Sequence, residues 1–158
     1  MVRFLIITFL SLTPFSNANA EWEPLRYIII DGDSIKREGI RYRLHGIDAP
    51  EITQKCLLDG REWSCGQSSK EFLEKLHSNV GFQCKEFGMD RYKRIIAKCY
   101  VMINSSLRDV GELMILEGMA LAYKKYSDDY SEFETISKSE KKGIWSSSFM
   151  LPWLWRKK

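Results

Sequence analysis

Short strand-forming segments separated by Asp and Gly turns occupy much of this chain before residue 104. The segments are rich in β-branched and aromatic residues, and the first of them ends at the Asp31-Gly32-Asp33 turn. The third segment ends before Pro50, because proline cannot donate a hydrogen bond to a strand ladder. Strands are predicted at 27–30, 34–37, 40–47, 80–87 and 95–103.

Helical patterns follow these strands, and a helix also separates the third strand from the fourth. Ser106 and Asp109 form a capping-box pattern that opens a helix, and Phe133 and Ile136 form the apolar face of another. Helices are predicted at 67–79, 106–117 and 127–143, a loop at 52–65, and a tryptophan-rich tail at 145–155 that packs back onto the core. Five short strands with three helices predict an α+β domain built around a five-stranded barrel.

The N-terminus has the pattern of a secretory signal. Arg3 precedes the apolar stretch 4–12, and the sequence Ala-Asn-Ala at 18–20 has the form that signal peptidase accepts. We therefore predict a signal peptide at 1–20 and a single mature domain at 21–158, located in the periplasm or secreted. A buried N-terminal strand or helix is the alternative interpretation.

The cysteine count is even, and all four cysteines fall in the part predicted to be exported. An oxidising compartment favours disulfides over free thiols, and four cysteines allow three pairings. A hairpin over 84–99 places Cys84 opposite Cys99, and Cys56 is close enough in sequence to Cys65 for a loop bridge. We predict these two pairs. A zinc site is disfavoured, since the chain has no C-x-x-C pattern and contains only two histidines.

Composition excludes several classes of protein but does not identify a partner. The chain is 44% hydrophobic, which is too apolar for a disordered protein. The 24 Lys and Arg residues exceed the 21 Asp and Glu residues by three, so charge alone does not indicate a nucleic-acid-binding protein. Evidence for function must therefore come from a site.

Three charged clusters lie at predicted strand ends. They are Asp-Gly-Asp-Ser at 31–34, the stretch 43–51 with Arg43, Asp48 and Glu51, and the hairpin turn 90–94. Each cluster alone is more typical of a solvated turn than of a site. Strand alternation nevertheless puts Arg43 on the same face as its neighbours at 41 and 45, unless Gly46 bends the chain.

Taken together, these clusters resemble those of the staphylococcal nuclease (thermonuclease) family. The matching motifs are 27–51, the turn 90–94 and the Gly-Ile-Trp sequence at 143–145, and the resemblance extends over most of 25–145. The cysteine-bearing loop and the signal are similar to the exported Gram-negative branch. The resemblance implies an OB-fold barrel with helices and calcium-dependent cleavage of DNA or RNA. The N-terminal apolar run is too short to span a bilayer, so we expect no membrane segment after signal removal, and we expect a monomer.

The resemblance also implies a calcium site made of oxygen donors. Asp33 and Asp48 would be carboxylate ligands, and Ala49, where the family often has threonine, would contribute its backbone carbonyl. Calcium is a hard cation that binds oxygen ligands in a flexible shell, so these residue types suit it.

The same motifs imply the catalytic groups. Glu51 would be the general base that activates water, and Arg43 and Arg94 would bind the phosphate, because guanidinium groups match phosphate oxygens bidentately. Lys93 stands where the family commonly has glycine, so a positive φ there would strain the turn that positions Arg94.

Three tyrosines, Tyr92, Tyr123 and Tyr126, are candidates for stacking on substrate bases, although ordinary packing explains each of them equally well. Two other functions remain open. One is a non-catalytic OB-fold module that binds nucleic acid, and the other is a phosphodiesterase or accessory protein of polysaccharide biosynthesis. A pure binding module has no need for the combined set of acidic residues and arginines, so catalysis is the favoured hypothesis.

Overall fold

The computed structural model describes residues 23–78 and 80–158, so the predicted signal peptide lies outside the described residues. The strands are β1 (Ile28–Ile29), β2 (Ser34–Arg37), β3 (Ile40–Leu44), β4 (Ile47–Asp48), β5 (Cys56–Leu58), β6 (Arg61–Trp63), β7 (Gln83–Met89), β8 (Ile95–Ile103), β9 (Ser106–Asp109) and β10 (Leu121–Ala122). The helices are α1 (Cys65–Ser78), α2 (Val110–Leu116), α3 (Ser131–Ser139) and α4 (Pro152–Trp155), with a 3₁₀ turn at Gly143–Ser146.

The main sheet has the order β1-β2-β3-β8-β7, and β9 joins it beside β8. Its neighbours are antiparallel except for β3 and β8, which run parallel. The mixed sheet curls into a half-barrel, which confirms the predicted α+β class of the OB type. Within the described residues, no helix has the length and apolarity needed to cross a bilayer.

The core lies between the concave face of this sheet and helices α1 and α2. Four side chains are fully buried there: Phe82, Ile35 of β2, Leu73 of α1 and Met114 of α2. These four side chains come from segments far apart in sequence, so the helices depend on burial against the sheet more than on their own propensity.

Two sequence predictions about strand and helix limits are wrong. The strand predicted at 40–47 is divided into β3 and β4 by a turn, in which Gly46 has a φ of +70°. The helix predicted from Ser106 begins at Val110 instead, because 106–109 pairs with β8 as β9. Asp109 is the N-cap, and its carboxylate accepts hydrogen bonds from the N–H groups of the first turn.

Two further differences concern loops and the third helix. The segment predicted as a loop contains the two-stranded hairpin of β5 and β6. Helix α3 begins at Ser131, later than predicted, and Ile136 on it is 44% exposed rather than buried. The helix spans nine residues, so its contact with the core is short.

Both disulfides predicted from the sequence are present. Cys56 is bonded to Cys65 at the start of α1, and Cys84 of β7 is bonded to Cys99 of β8. All four cysteines are therefore oxidised, as expected in an oxidising compartment.

A β-bulge sets the register of the second disulfide. Met89 faces Ile95 at the end of the hairpin, and an uninterrupted ladder from that pair would place Cys84 opposite Tyr100. The extra residue Phe87 shifts the register by one and restores the cysteine pairing.

The hairpin turn that follows this ladder is held by one carboxylate. Asp90 accepts hydrogen bonds from the backbone N–H groups of Tyr92, at 2.8 Å, and Arg94, at 3.0 Å. Lys93 lies between them with a φ of 61°, in the left-handed region. Lys93 thus adopts a conformation that favours glycine, and the turn keeps its form despite the lysine.

The tail packs against the first disulfide. Ile144 is fully buried with Cys56 and Cys65, and Trp145 and Trp153 pack against the same cluster. Trp145 and Trp153 of the predicted tail thus pack back onto the protein, in a small cluster separate from the main core.

We predict that removing the second disulfide destabilises the protein. Replacing both Cys84 and Cys99 by alanine should lower the free energy of unfolding by about 3 kcal/mol, because the bond closes a loop and restricts the unfolded chain. Urea unfolding of the variant and the parent measures this difference. An unchanged free energy, or four alkylatable thiols in the unreduced protein, would contradict the assignment.

We also predict that Lys93→Gly stabilises the hairpin. Glycine removes the side-chain clash of the left-handed conformation, so the free energy of unfolding should rise by about 1 kcal/mol. Lys93→Ala is the matched control, since it removes the same charge but keeps the Cβ. Equal stability of the two variants would show that the backbone conformation is not the cause.

Candidate active site

The pairing of β2 with β3 brings the first acidic cluster next to Arg43. Ser34 is the register partner of Arg43, so Asp33 lies immediately before the paired residue. One terminal nitrogen of Arg43, Nη1, is 2.8 Å from Asp33 Oδ1. The Ser34 hydroxyl also donates to Asp33 Oδ1, at 2.9 Å. Two residues distant in sequence thus form a mostly buried ion pair.

The turn between β3 and β4 brings the second acidic residue to the same guanidinium. Arg43 Nη2 donates to Asp48 Oδ1 at 2.7 Å and to the carbonyl of Ile47 at 3.1 Å. Asp48 is 0% exposed, and Asp33 is 5% exposed. Arg43 therefore bridges two buried carboxylates.

The backbone of Ala49 completes this arrangement. Its N–H donates to Asp33 Oδ2 at 3.0 Å, so both oxygens of that carboxylate are engaged. Gly32 permits the close packing, because a Cβ there would overlap Ser69 and Ala49. The structure therefore brings Asp33 and Asp48 together around Arg43 and places the Ala49 N–H against Asp33, whereas the sequence motifs predict the Ala49 carbonyl as a ligand.

Glu51 lies at the edge of the cluster and is paired with a residue that the sequence reasoning missed. Arg156, in the last turn of the tail, has Nη1 at 2.6 Å from Glu51 Oε1. Its Nη2 is 3.0 Å from Asp48 Oδ1 and 2.8 Å from Oδ2. No local sequence pattern indicates this contact, because Arg156 is 108 residues from Asp48.

Arg94 lies in the same cleft but not in the carboxylate cluster. Its Nε donates to Asp90 Oδ2 at 2.8 Å, and its guanidinium lies over the ring of Tyr92, 5.6 Å from the centroid. The Asp90 carboxylate therefore orients Arg94 toward the cleft wall. In the part of the chain that the structure describes, Arg94 forms its ion pair with Asp90.

Asp33, Arg43, Glu51, Arg94 and Arg156 line an open cleft of about 1620 Å³. The three candidate tyrosines all line it, and Tyr92 and Tyr126 are 64% and 67% exposed. Tyr123 packs on Trp153, with ring centroids 5.7 Å apart, and its ring also faces the Arg43 guanidinium. The lining contains nine Lys and Arg residues and five Asp and Glu residues, so the cleft suits an anionic ligand.

The electrostatics differ among the acidic groups. Burial raises the pKa of Asp33, but Arg43, the Ala49 N–H and the Ser34 hydroxyl outweigh it and hold the pKa below its usual value. Burial and the Asp33 charge raise the pKa of Asp48 despite its guanidinium partners. Asp31, which also lines the cleft, has a pKa raised to about 6 by burial and by Asp33. Burial lowers the pKa of Arg43, but the two carboxylates outweigh it and raise the pKa above its ordinary value.

The donor set is suited to a hard cation. Asp33 and Asp48 present carboxylate oxygens, and the guanidinium of Arg156 lies against the Asp48 carboxylate in the way another cation could. Within 23–78 and 80–158, no group of three His, Cys, Asp or Glu residues is arranged to hold a metal ion. An ion bound here would therefore complete its shell with carbonyl, water or ligand oxygens, which calcium accepts.

Comparison with known proteins identifies the family. The family model described as staphylococcal nuclease homologue matches residues 41–147, which is more than half of the chain. That match includes Arg43, Asp48, Glu51 and Arg94, whereas Arg156 lies beyond it.

Individual relatives agree with this match. The chain is 33% identical to the succinoglycan biosynthesis protein ExoI of Rhizobium meliloti (strain 1021), over 74% of the chain and 61% of that protein. It is 31% identical to the micrococcal nuclease of Shigella flexneri, over 82% and 77%. It is 30% identical to an uncharacterized endonuclease of Haemophilus influenzae (strain ATCC 51907 / DSM 11121 / KW20 / Rd), over 98% and 86%. The chain belongs to the staphylococcal nuclease homologue family.

Proposed function

We propose that this protein is an exported, calcium-dependent nuclease that hydrolyses phosphodiester bonds of DNA or RNA. The main support is the buried Asp33–Arg43–Asp48 cluster, which lies beside Glu51 in a basic cleft. Relatives named micrococcal nuclease and endonuclease support the same activity. The two disulfides fit a periplasmic or secreted location, and we propose that the enzyme acts as a monomer.

Calcium is the metal that we assign to this site. Asp33, Asp48 and the carbonyl of Ala49 would hold it, because hard oxygen donors on separate backbone segments suit a flexible shell. Bound calcium would supply positive charge that polarises the phosphate of the substrate.

Glu51 is the proposed general base. Its carboxylate takes a proton from a water molecule, whose oxygen forms a new bond to phosphorus while one P–O ester bond breaks. The leaving oxygen departs as a hydroxyl after receiving a proton from solvent. The Glu51 side chain is about one-third exposed, at 32%, so water reaches it.

Arg43 and Arg94 are the proposed phosphate-binding groups. The Arg43 guanidinium has five N–H donors and makes three hydrogen bonds to the protein, so the remaining donors are available to a phosphate oxygen. Arg94 is oriented by Asp90 and immediately precedes β8, which pairs with β3, the strand of Arg43, so both guanidinium groups belong to neighbouring parts of one cleft. In this arrangement Tyr92, Tyr123 and Tyr126 are base-stacking candidates along the cleft.

A second candidate function has one observation in its favour. The similarity to a protein named for succinoglycan biosynthesis is compatible with an accessory phosphodiesterase of polysaccharide biosynthesis. Incubating the protein with DNA, RNA and a phosphodiester-linked glycan, each with calcium, distinguishes the two. Binding of nucleic acid without cleavage would instead favour the non-catalytic module.

We predict that Glu51→Gln lowers kcat on an oligonucleotide by about 10²–10⁴-fold, because the amide keeps the shape of the side chain but cannot accept a proton. Affinity for the oligonucleotide should change little. Glu62→Gln, on the exposed β6 strand outside the cleft, is the matched control and should retain parental kcat. Near-parental turnover in Glu51→Gln would remove Glu51 from the role of base.

We predict that Arg94→Lys lowers kcat by about 10²-fold and affects KM less, because lysine keeps the charge but loses the bidentate fork. Arg108→Lys is the control, since Arg108 pairs with Glu112 outside the cleft. Steady-state kinetics on one oligonucleotide gives both constants. A loss confined to KM would make Arg94 a binding contact without a role in the transition state.

A further inference from the structure

The tail guanidinium occupies a position inside the proposed metal site. Arg156 makes three hydrogen bonds there, two to the Asp48 carboxylate and one to Glu51. Both contacts to Asp48 come from Nη2, whereas Nη1 donates to Glu51, and hydrogen bonds between charged groups are among the stronger ones in proteins. One cationic side chain is thus bound to both a proposed calcium ligand and the proposed base.

The packing of the tail holds Arg156 in this position. The Gln54 side chain donates to the carbonyl of Met150 at 2.6 Å, which anchors the chain just before α4. Pro152 begins α4, where its missing N–H has no consequence, and Trp153 packs on Tyr123. The arginine therefore extends from a helix that is fixed independently of the carboxylates.

The charges of the site make Arg156 and a divalent cation competitors. Asp33, Asp48 and Glu51 contribute three negative charges, Asp31 adds a fourth above its pKa of about 6, and Arg43 and Arg156 supply two positive charges. A calcium ion at the same oxygens would lie against the Arg156 guanidinium, and two like charges at that distance repel each other. Arg43 also contacts Asp33 and Asp48, but its side chain is 14% exposed against 38% for Arg156, so Arg156 is the guanidinium that calcium would displace from Asp48 and Glu51.

We propose that Arg156 is an intrinsic competitor of calcium and that the C-terminal segment thereby sets the calcium affinity of the site. This inference rests on the proposed calcium site. Without calcium, Arg156 neutralises Asp48 and so avoids a buried unpaired charge. With calcium, the guanidinium is displaced into the cleft, and Glu51 is freed from its ion pair.

The test is calorimetric titration of calcium into purified protein with both disulfides formed. Arg156→Gln should bind calcium about tenfold more tightly than the parent, a change that two partly exposed ion pairs can supply. Arg156→Lys should fall between the two, because it keeps the charge and loses the fork. Lys157→Gln is the matched control, because it removes one positive charge from the adjacent position of the same cleft. Its calcium affinity should change less than twofold. A general charge effect would instead change the affinity of both variants by about the same factor.

Thermal unfolding gives a second readout that does not depend on cleavage. In chelator, Arg156→Gln should unfold at a lower temperature than the parent, because Asp48 loses a partner. In saturating calcium this difference should disappear, because the tighter calcium binding of Arg156→Gln returns the stability that the loss of the same ion pairs removed.

Equal calcium affinity in Arg156→Gln and the parent would overturn the competition while leaving the proposed calcium site intact. Equal tightening by Lys157→Gln would overturn it as well, since a general charge effect would then suffice. Reduced turnover in Arg156→Gln with unchanged calcium affinity would make Arg156 a phosphate-binding residue instead. Absence of calcium binding in all variants would overturn both this inference and the calcium assignment.

Discussion

The bridge that Arg43 forms between Asp33 and Asp48 is the interaction on which the site depends. It joins the start of β2, the end of β3 and the end of β4, and it places two carboxylates where solvent hardly reaches them. Breaking a buried ion pair from one side costs about 3–5 kcal/mol, because a charge is left uncompensated. The structure therefore keeps these two carboxylates in its interior by holding the Arg43 guanidinium between them. A cluster that contains charges of both signs is suited to binding a further cation or anion.

The C-terminal segment contributes to the same site. The Cys56–Cys65 disulfide forms a small cluster with Ile144 and the tail tryptophans, and this cluster supports α4 and thereby Arg156. The first disulfide is therefore linked, through packing, to the position of a charged group in the cleft. The second disulfide lies in the β7–β8 ladder, whose turn orients Arg94.

Much of the fold could be predicted from the sequence because its signals are local, whereas the candidate site residues were predicted from the resemblance of three charged clusters to one family. Turn triplets delimit strands, and the motif residues Asp33, Arg43, Asp48 and Glu51 lie at strand ends that a barrel brings together. The signal peptide at 1–20 lies outside the described residues and stays a prediction.

What could not be predicted depends on contacts between distant segments. The capping-box pattern at Ser106 was overridden by pairing with β8, since a ladder offers more backbone hydrogen bonds than a single helical turn. The cysteine pairing was correct although the turn is centred half a residue later than in a regular hairpin that pairs Cys84 with Cys99, because the bulge at Phe87 compensates. No sequence motif predicts the contacts of Arg156, because its position depends on the packing of the whole tail.

The most direct test of the central claim is the calcium dependence of phosphodiester cleavage. Protein stripped of metal is mixed with a labelled single-stranded oligonucleotide in chelator, and calcium or magnesium is then added in excess. The account predicts no cleavage in chelator, cleavage on addition of calcium, and poor cleavage with magnesium, which requires tighter octahedral geometry. Equal cleavage in chelator and in calcium would contradict it.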